Sequence, residues 1–262
     1  MAVDNEIQAS KDPNARFMFR STKTTPRGSV TKVYIETREA TAGMVVAYNG
    51  KPLTAEQRAA EEARVERFIK SPEEMRKKRK QEQEDADRMS RILRALPDAF
   101  SFEYDGEQPA TPGVGKPGTT LTVLKFRPKS DYQPPSRVEQ TLTGMQGTAL
   151  VDPVRRRLAS LDGTLFKDVS FGWGILGHLD KGGRVLLQAQ DVRDPYWLIS
   201  RIDLNVTGKI LLFKSLAVST SERFTDMKLV PSDLSFADAV EMLKKQEPVL
   251  AEETAPARGP SH

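Results

Sequence analysis

The chain contains no cysteine, and its two histidines are His178 and His262. The first absence removes structural disulfides, cysteine-based zinc sites and thiol nucleophiles together. The second leaves His178 as the one imidazole inside the expected folded region. A histidine base needs a nucleophile and an orienting acid beside it. Gly177 and Leu179-Asp180-Lys181 read instead as a strand end running into a turn. No cluster of His, Asp or Glu has metal-ligand spacing, and no cofactor is expected. Gly113, Gly115 and Gly118 resemble a phosphate loop superficially, but no Lys-Ser/Thr pair and no helix start follow them. An excess of one charge is also missing: 40 Lys and Arg face 36 Asp and Glu, a net +4, so no nucleic-acid partner is expected. No apolar run approaches membrane-span length, and MAVDNEIQASKDPNARF has no signal-peptide core.

What the chain does have is alternation. In Arg201-Ile202-Asp203-Leu204-Asn205-Val206-Thr207 apolar and polar residues exchange at every step, the mark of a strand with one buried and one wet face. Phe17 and Phe19, Val33 and Ile35, and Met44, Val46 and Tyr48 form three shorter alternating stretches. Pro26-Arg27-Gly28 and Asn49-Gly50-Lys51-Pro52 supply their turns. Further strands are expected at 100–104 and 119–126. About seven more follow, near 147–152, 156–162, 164–173, 183–193, 196–207, 209–215 and 216–228. Asp162-Gly163 and Lys181-Gly182-Gly183 read as tight turns.

Between the early and late strands the period changes to that of a helix. Thr54-Ala55-Glu56-Gln57 is a capping box, with Val65, Phe68 and Ile69 on one face. Ser71-Pro72-Glu73-Glu74 starts a second helix. It carries the basic block Arg76 to Lys80, then acids from Glu82 to Asp87, then Met89, Ile92, Leu93 and Leu96, and Pro97 is expected to close it. Its charged middle reads as a solvated helix held by pairs three or four residues apart; the alternative is contact with a partner protein or acidic headgroups. The apolar ends are expected to dock, laying the pair over the sheet as an arm or lid. Residues 235–246 read as a last helix, with Phe236, Val240 and Leu243 on one side.

The expected organisation is a flexible start (1–14), one mainly β domain (15–247) with a helical insert (54–96), and a disordered Pro/Ala/Glu-rich tail (248–262). A sheet of about ten strands has an inner face larger than three helical segments can cover. An apolar cavity is therefore expected, with Phe17, Phe19, Val33, Ile35, Met44, Val46, Phe171, Trp173, Trp197, Ile202, Leu204 and Val206 as candidate lining. The plainer role for such residues is ordinary core. Arg16, Arg20 and Arg201 are candidates to meet a ligand's polar group at the cavity mouth, or else outward-facing strand residues.

Gly147-Thr148-Ala149-Leu150-Val151-Asp152-Pro153 with Arg156-Arg157-Leu158 resembles the "G-x-x-W-(I/V)-D…R-L" strand pair of the outer-membrane lipoprotein-sorting superfamily, which includes LolA/LolB-like carriers and RseB/MucB-like envelope sensors. Lys181-Gly182-Gly183-Arg184, Tyr196-Trp197-Leu198 and residues 208–215 (GKILLFKS) look like a bacterial branch of it with a charged helical insert. The resemblance spans most of residues 15–230. It implies an incomplete barrel, a strongly curved open antiparallel sheet with helices across its concave side. It also implies a periplasmic protein with its signal peptide removed, peripheral to the membrane at most. The expected function is non-catalytic binding of lipid or lipoprotein acyl chains. The alternative is a sensor or scaffold that contacts an envelope protein through the insert.

Overall fold

The computed structural model describes residues 2–9, 12, 14–172, 176–210 and 214–245. Strand accounts for 48% of the chain, in one sheet of thirteen strands. They are β1 Phe17–Thr25, β2 Gly28–Glu36, β3 Thr41–Tyr48, β4 Lys51–Pro52, β5 Phe100–Pro109, β6 Thr120–Pro128, β7 Met145–Asp152, β8 Arg157–Leu165, β9 Val169–Phe171, β10 Gly177–Leu179, β11 Arg184–Arg193, β12 Tyr196–Ile210 and β13 Lys214–Leu229. The main path runs β4-β3-β2-β1-β13-β12-β11-β8-β7-β6-β5, with β10 on β12 and β9 on β10. Every named pair is antiparallel. The sheet does not close into a barrel. Pairing of β1 with β13 ties the first strand to the last.

Among the described residues five α-helices accompany the sheet: α1 Ala2–Ala9, α2 Ala55–Lys70, α3 Pro72–Ala99, α4 Arg137–Gln140 and α5 Phe236–Lys244. The capping box at Thr54 forms in both directions: its hydroxyl accepts from Gln57 N–H, and the Gln57 side chain accepts from Thr54 N–H. Ser71 caps α3 and Pro72 takes its first position. Pro97 does not close α3, which continues to Ala99.

Four other expectations change. Residues 1–14 are not simply a flexible lead: Ala2–Ala9 is a helix with Ile7 buried. Asp162-Gly163 is not a turn but lies inside β8, paired to Thr148 and Gly147 on β7. The expected break near residue 208 is absent as well, because Gly208 sits within β12, opposite Leu216. The expected strand at 164–173 divides into the end of β8 and the short β9. The tail at 248–262 lies outside the described residues.

Register decides which side chains share a face, since directly paired residues point the same way and neighbours alternate. One row crosses six strands as Tyr104, Leu124, Ala149, Leu161, Leu187 and Ile202, then reaches Glu222 on β13. The next rows hold Val185, Leu204 and Thr220, then Val206 and Val218. This is the inner face. The opposite rows of β12 and β13 hold Arg201 and Arg223, Asp203 and Ser221, Asn205 and Ser219. On these two strands inner-face side chains are half-buried and most outer-face ones exposed. No helix among the described residues packs extensively on either strand. The sheet's own curl therefore shelters the inner side.

Helices cover opposite faces at opposite ends. On the outer face of β2 and β3, Val33, Ile35, Ala42 and Met44 pack against Val65 of α2 and Phe236, Ala239, Val240 and Leu243 of α5. On the inner face of β5 to β8, Phe100, Phe126, Met145, Ala149 and Leu165 pack against Leu96 and Ala99 of α3. The 28-residue α3 joins both clusters: Met75 reaches the first, and Ile92 and Leu93 reach the second. Between them Glu82 accepts from the Thr41 N–H at the start of β3. Farther along that edge Glu61 accepts from Val45 N–H and Arg64 donates to Gly43 O. Charged side chains of the insert thus stand where a neighbouring strand would be, which shields the edge from other chains.

Candidate functional site

The inner face carries an apolar hollow of about 180 Å³. Its floor is Leu124, Ala149, Val151, Leu158 and Leu161, and its roof is Ala2 and Val3 of α1 with Leu93 and Leu96 of α3. A cavity of about 150 Å³ with similar lining admits benzene, so a ring or a short length of alkyl chain fits. An ion pair helps to pin the roof. Glu6 Oε1 accepts from Arg157 Nε at 2.7 Å and from Leu158 N–H at 2.8 Å, and Oε2 accepts from Arg157 Nη2 at 3.0 Å.

From the hollow the apolar rows continue to Ile202, Leu204 and Val206, all half-buried. At the far side stands an aromatic patch. Phe19 lies 5.4 Å from Tyr34 and 6.0 Å from Phe224 between ring centroids. Polar groups close the row there. Ser21 Oγ hydrogen-bonds Glu222. Burial, reinforced by Glu222, raises the Tyr34 hydroxyl pKa against the smaller opposing effect of Arg64. A groove with a greasy floor and a polar end is chemically suited to an amphiphile.

The residues expected to line one cavity divide among several places. Phe19, Ile202, Leu204 and Val206 share the inner face, as does Phe17, which is fully buried with its ring 5.6 Å from Tyr196. Val33, Ile35, Met44 and Val46 lie on the outer face beneath α2 and α5, so they are core and not groove. Trp197 belongs to a third cluster with Val114, Leu121 and Ala159 under the 110–119 loop. Phe171 packs at the margin of the inner-face cluster. Trp173 lies outside the described residues. Arg20 and Arg201 are on the outer face, paired with Asp226 and Asp203; neither reaches the groove. The floor itself was missed. Leu124, Ala149 and Leu158 each have an apolar neighbour on one side, so alternation does not mark them, and register alone places Leu124, Ala149 and Leu161 in one row with Ile202.

Arg16 lies in a different, polar cleft of about 410 Å³, between the start of β1, the β2–β3 turn and α3. Glu36 sits within it and accepts from Phe17 N–H at 3.0 Å. Burial raises its carboxyl pKa above the ordinary value, opposed by the Phe17 hydrogen bond and Arg16 and reinforced by Glu82. Arg38, Glu39 and Arg79 also line the cleft. A carboxyl whose folded pKa exceeds its unfolded one favours the fold most when protonated. Stability is then lost as pH rises from the unfolded value to the folded one. Glu36→Gln keeps an acceptor for Phe17 and removes the charge. Thermal melts followed by circular dichroism should show the variant more stable than wild type near neutral pH, with the gap closing below the ordinary carboxylate range.

His178 Nε2 stands 3.1 Å from Asp180 Oδ1, on β10 just before the turn. Among the described residues no three His, Asp or Glu side chains come together as a metal-binding group, and no helix is long and apolar enough to cross a membrane. No protein-family model matches the chain, and no curated protein does. Among solved structures, a DUF1329 family protein from Desulfovibrio piger aligns over 87% of this chain and 91% of its own, at 7% identity and a TM-score of 0.25. Neither fold nor function carries over at that score, and none of these comparisons names the lipoprotein-sorting superfamily that the motifs resemble.

Proposed function

We propose that the chain is a non-catalytic binding protein for an apolar or amphiphilic ligand, held on the inner face of the sheet. The observation that carries this reading is the continuous apolar row from the hollow under α1 to Ile202, Leu204 and Val206, which the helices among the described residues cover at one end only. Each methylene of an acyl chain laid along it would gain about 0.8 kcal/mol. The polar end at Ser21, Glu222 and Tyr34 would meet the ligand's head. A bacterial envelope setting and kinship with the lipoprotein-sorting superfamily belong to the same reading and are supported by the motif resemblance alone. The scaffold alternative has less behind it. Several charges of α3 are engaged within the helix, Lys77 with Glu73, Lys78 with Glu82 and Lys80 with Glu84, and Glu82 also serves the β3 edge.

Native mass spectrometry of protein purified from its own host should find co-purifying lipid, and parinaric acid should fluoresce on binding. Ile202→Asn combined with Leu204→Asn should weaken parinaric acid about tenfold or more, with little change in the melting curve, because no helix among the described residues packs extensively on β12. Wild-type affinity in that variant, or no binding by the wild type, would end the proposal.

A further inference from the structure

The polar cleft around Arg16 is separate from the apolar groove, and its hydrogen bonding is lopsided. Every carboxylate in it already points at donors of the chain. Glu36 accepts from Phe17 N–H. Glu39 accepts from the Thr37 hydroxyl at 3.2 Å and from Phe236 N–H at 3.1 Å. Glu82 accepts from Thr41 N–H at 3.1 Å and pairs with Lys78 at 2.8 Å. These acids cap strand and helix ends.

The three arginines of the cleft have no such engagement. Arg16 donates through Nη1 to its own neighbour, Ala15 O, at 3.3 Å, while its Nε is buried with no hydrogen-bond partner. Arg38 and Arg79 form no ion pair with any described residue. A buried guanidinium N–H without an acceptor is costly. Three guanidiniums around one opening offer fork-shaped donors to a ligand rich in acceptor oxygens. Of the three acids, Glu82 is already paired with Lys78 at 2.8 Å.

We propose that this cleft binds an oxyanion of the phosphate class, with Arg16 at its base and Arg38 and Arg79 at its rim. The phosphate could come free in solution or as the headgroup of a lipid; the chemistry recognised is the same. The site does not depend on the apolar groove for its argument, since none of the groove's floor residues lines it.

The test is isothermal titration of the full chain with inorganic phosphate, glycerol 3-phosphate and a short-chain phosphatidylglycerol below its micelle concentration, at fixed ionic strength. Wild type should bind all three. Arg38→Gln combined with Arg79→Gln, at two exposed positions, should weaken each about tenfold or more, the loss expected when charge-assisted hydrogen bonds go. Arg16→Lys, which keeps the charge and loses the fork, should weaken them as well. If the lipid binds more tightly than glycerol 3-phosphate and the Ile202→Asn, Leu204→Asn variant removes the advantage, the phosphate is a headgroup. If the two bind equally, it is a soluble phosphate. No heat of binding for wild type with any of the three, or equal affinities in wild type and the double arginine variant, would overturn the site. Parinaric acid binding is read separately, so failure here leaves the groove standing, and the reverse.

Discussion

Gly147→Ala should be among the most damaging single substitutions in the chain. A Cβ built at Gly147 would sit 1.9 Å from the carbonyl oxygen of Asp162 and 2.9 Å from its carbon. Both atoms are backbone of β8, held in register with β7 on one side and β11 on the other, so no side-chain rotation relieves the clash. The expected loss is about 3 kcal/mol or more, the upper end of overpacking effects. For a chain of this size that is about 6–12 °C in melting temperature. Gly163, directly opposite, is the control. Its Cβ would meet Met145 Sδ at 2.7 Å and Cγ at 2.9 Å, the flexible part of a side chain that can swing aside. Urea melts should show Gly163→Ala clearly milder than Gly147→Ala; equal losses would mean that β7 and β8 can separate to admit a methyl group.

The same two glycines show where the sequence stops being legible. Asp-Gly is a strong turn signal, and nothing local distinguishes a glycine that bends the chain from one that lets two strands approach. Here Gly163 faces Gly147 across a ladder, and the apparent hairpin is a continuous strand. Gly208 behaves alike: its Cβ would lie 2.1 Å from the carbonyl of His178 on β10. Alternation was readable strand by strand, and Ile202, Leu204 and Val206 do share a face. Whether that face is also the one carrying Val33 and Ile35 depends on pairing across β13 and β1, where a bulge between Met18 and Arg20 intervenes. The helices decided the rest. Once α2 and α5 pack on the outer side of β2 and β3, four of the twelve expected groove residues become core. Asp152 shows how a motif can mark a turn rather than a site. Its carboxylate accepts from Val154 N–H and Arg155 N–H and so builds the β7–β8 turn. A helix as short as α1 has little stability of its own. The spacing of Val3 and Ile7 was its available sign, and its partner Arg157 lies 151 residues away.

Glu6→Ala should open the hollow. Eight residues make too short a helix to persist without tertiary support, so α1 holds its place through what it touches. Val3 and Ile7 supply apolar contact, and Asn5 adds long bonds of 3.3 and 3.4 Å to carbonyls of the β7–β8 turn. The strongest tie is Glu6, whose carboxylate makes three charge-assisted or backbone hydrogen bonds to Arg157 and Leu158. Arg157 is nearly buried, its side chain 9% exposed. It keeps Pro195 O at 3.2 Å and the Trp197 ring at 5.8 Å when Glu6 is truncated, but its charge is left without a carboxylate. Breaking a buried pair from one side costs about 3 kcal/mol, more than the remaining contacts of α1 can hold against its own ordering entropy. The chain escapes that penalty by letting α1 leave and water reach Arg157. Hydrogen exchange should therefore show the amides of residues 2–9 losing protection in Glu6→Ala while those of β7 and β8 keep theirs. Because α1 roofs the floor formed by Leu124, Ala149 and Leu161, parinaric acid should bind the variant more tightly than wild type. Glu6→Gln, which retains an acceptor for Leu158 N–H, should fall between the two. If α1 stays protected in Glu6→Ala, apolar packing alone holds the roof, and entry to the hollow must lie along the groove from Ile202.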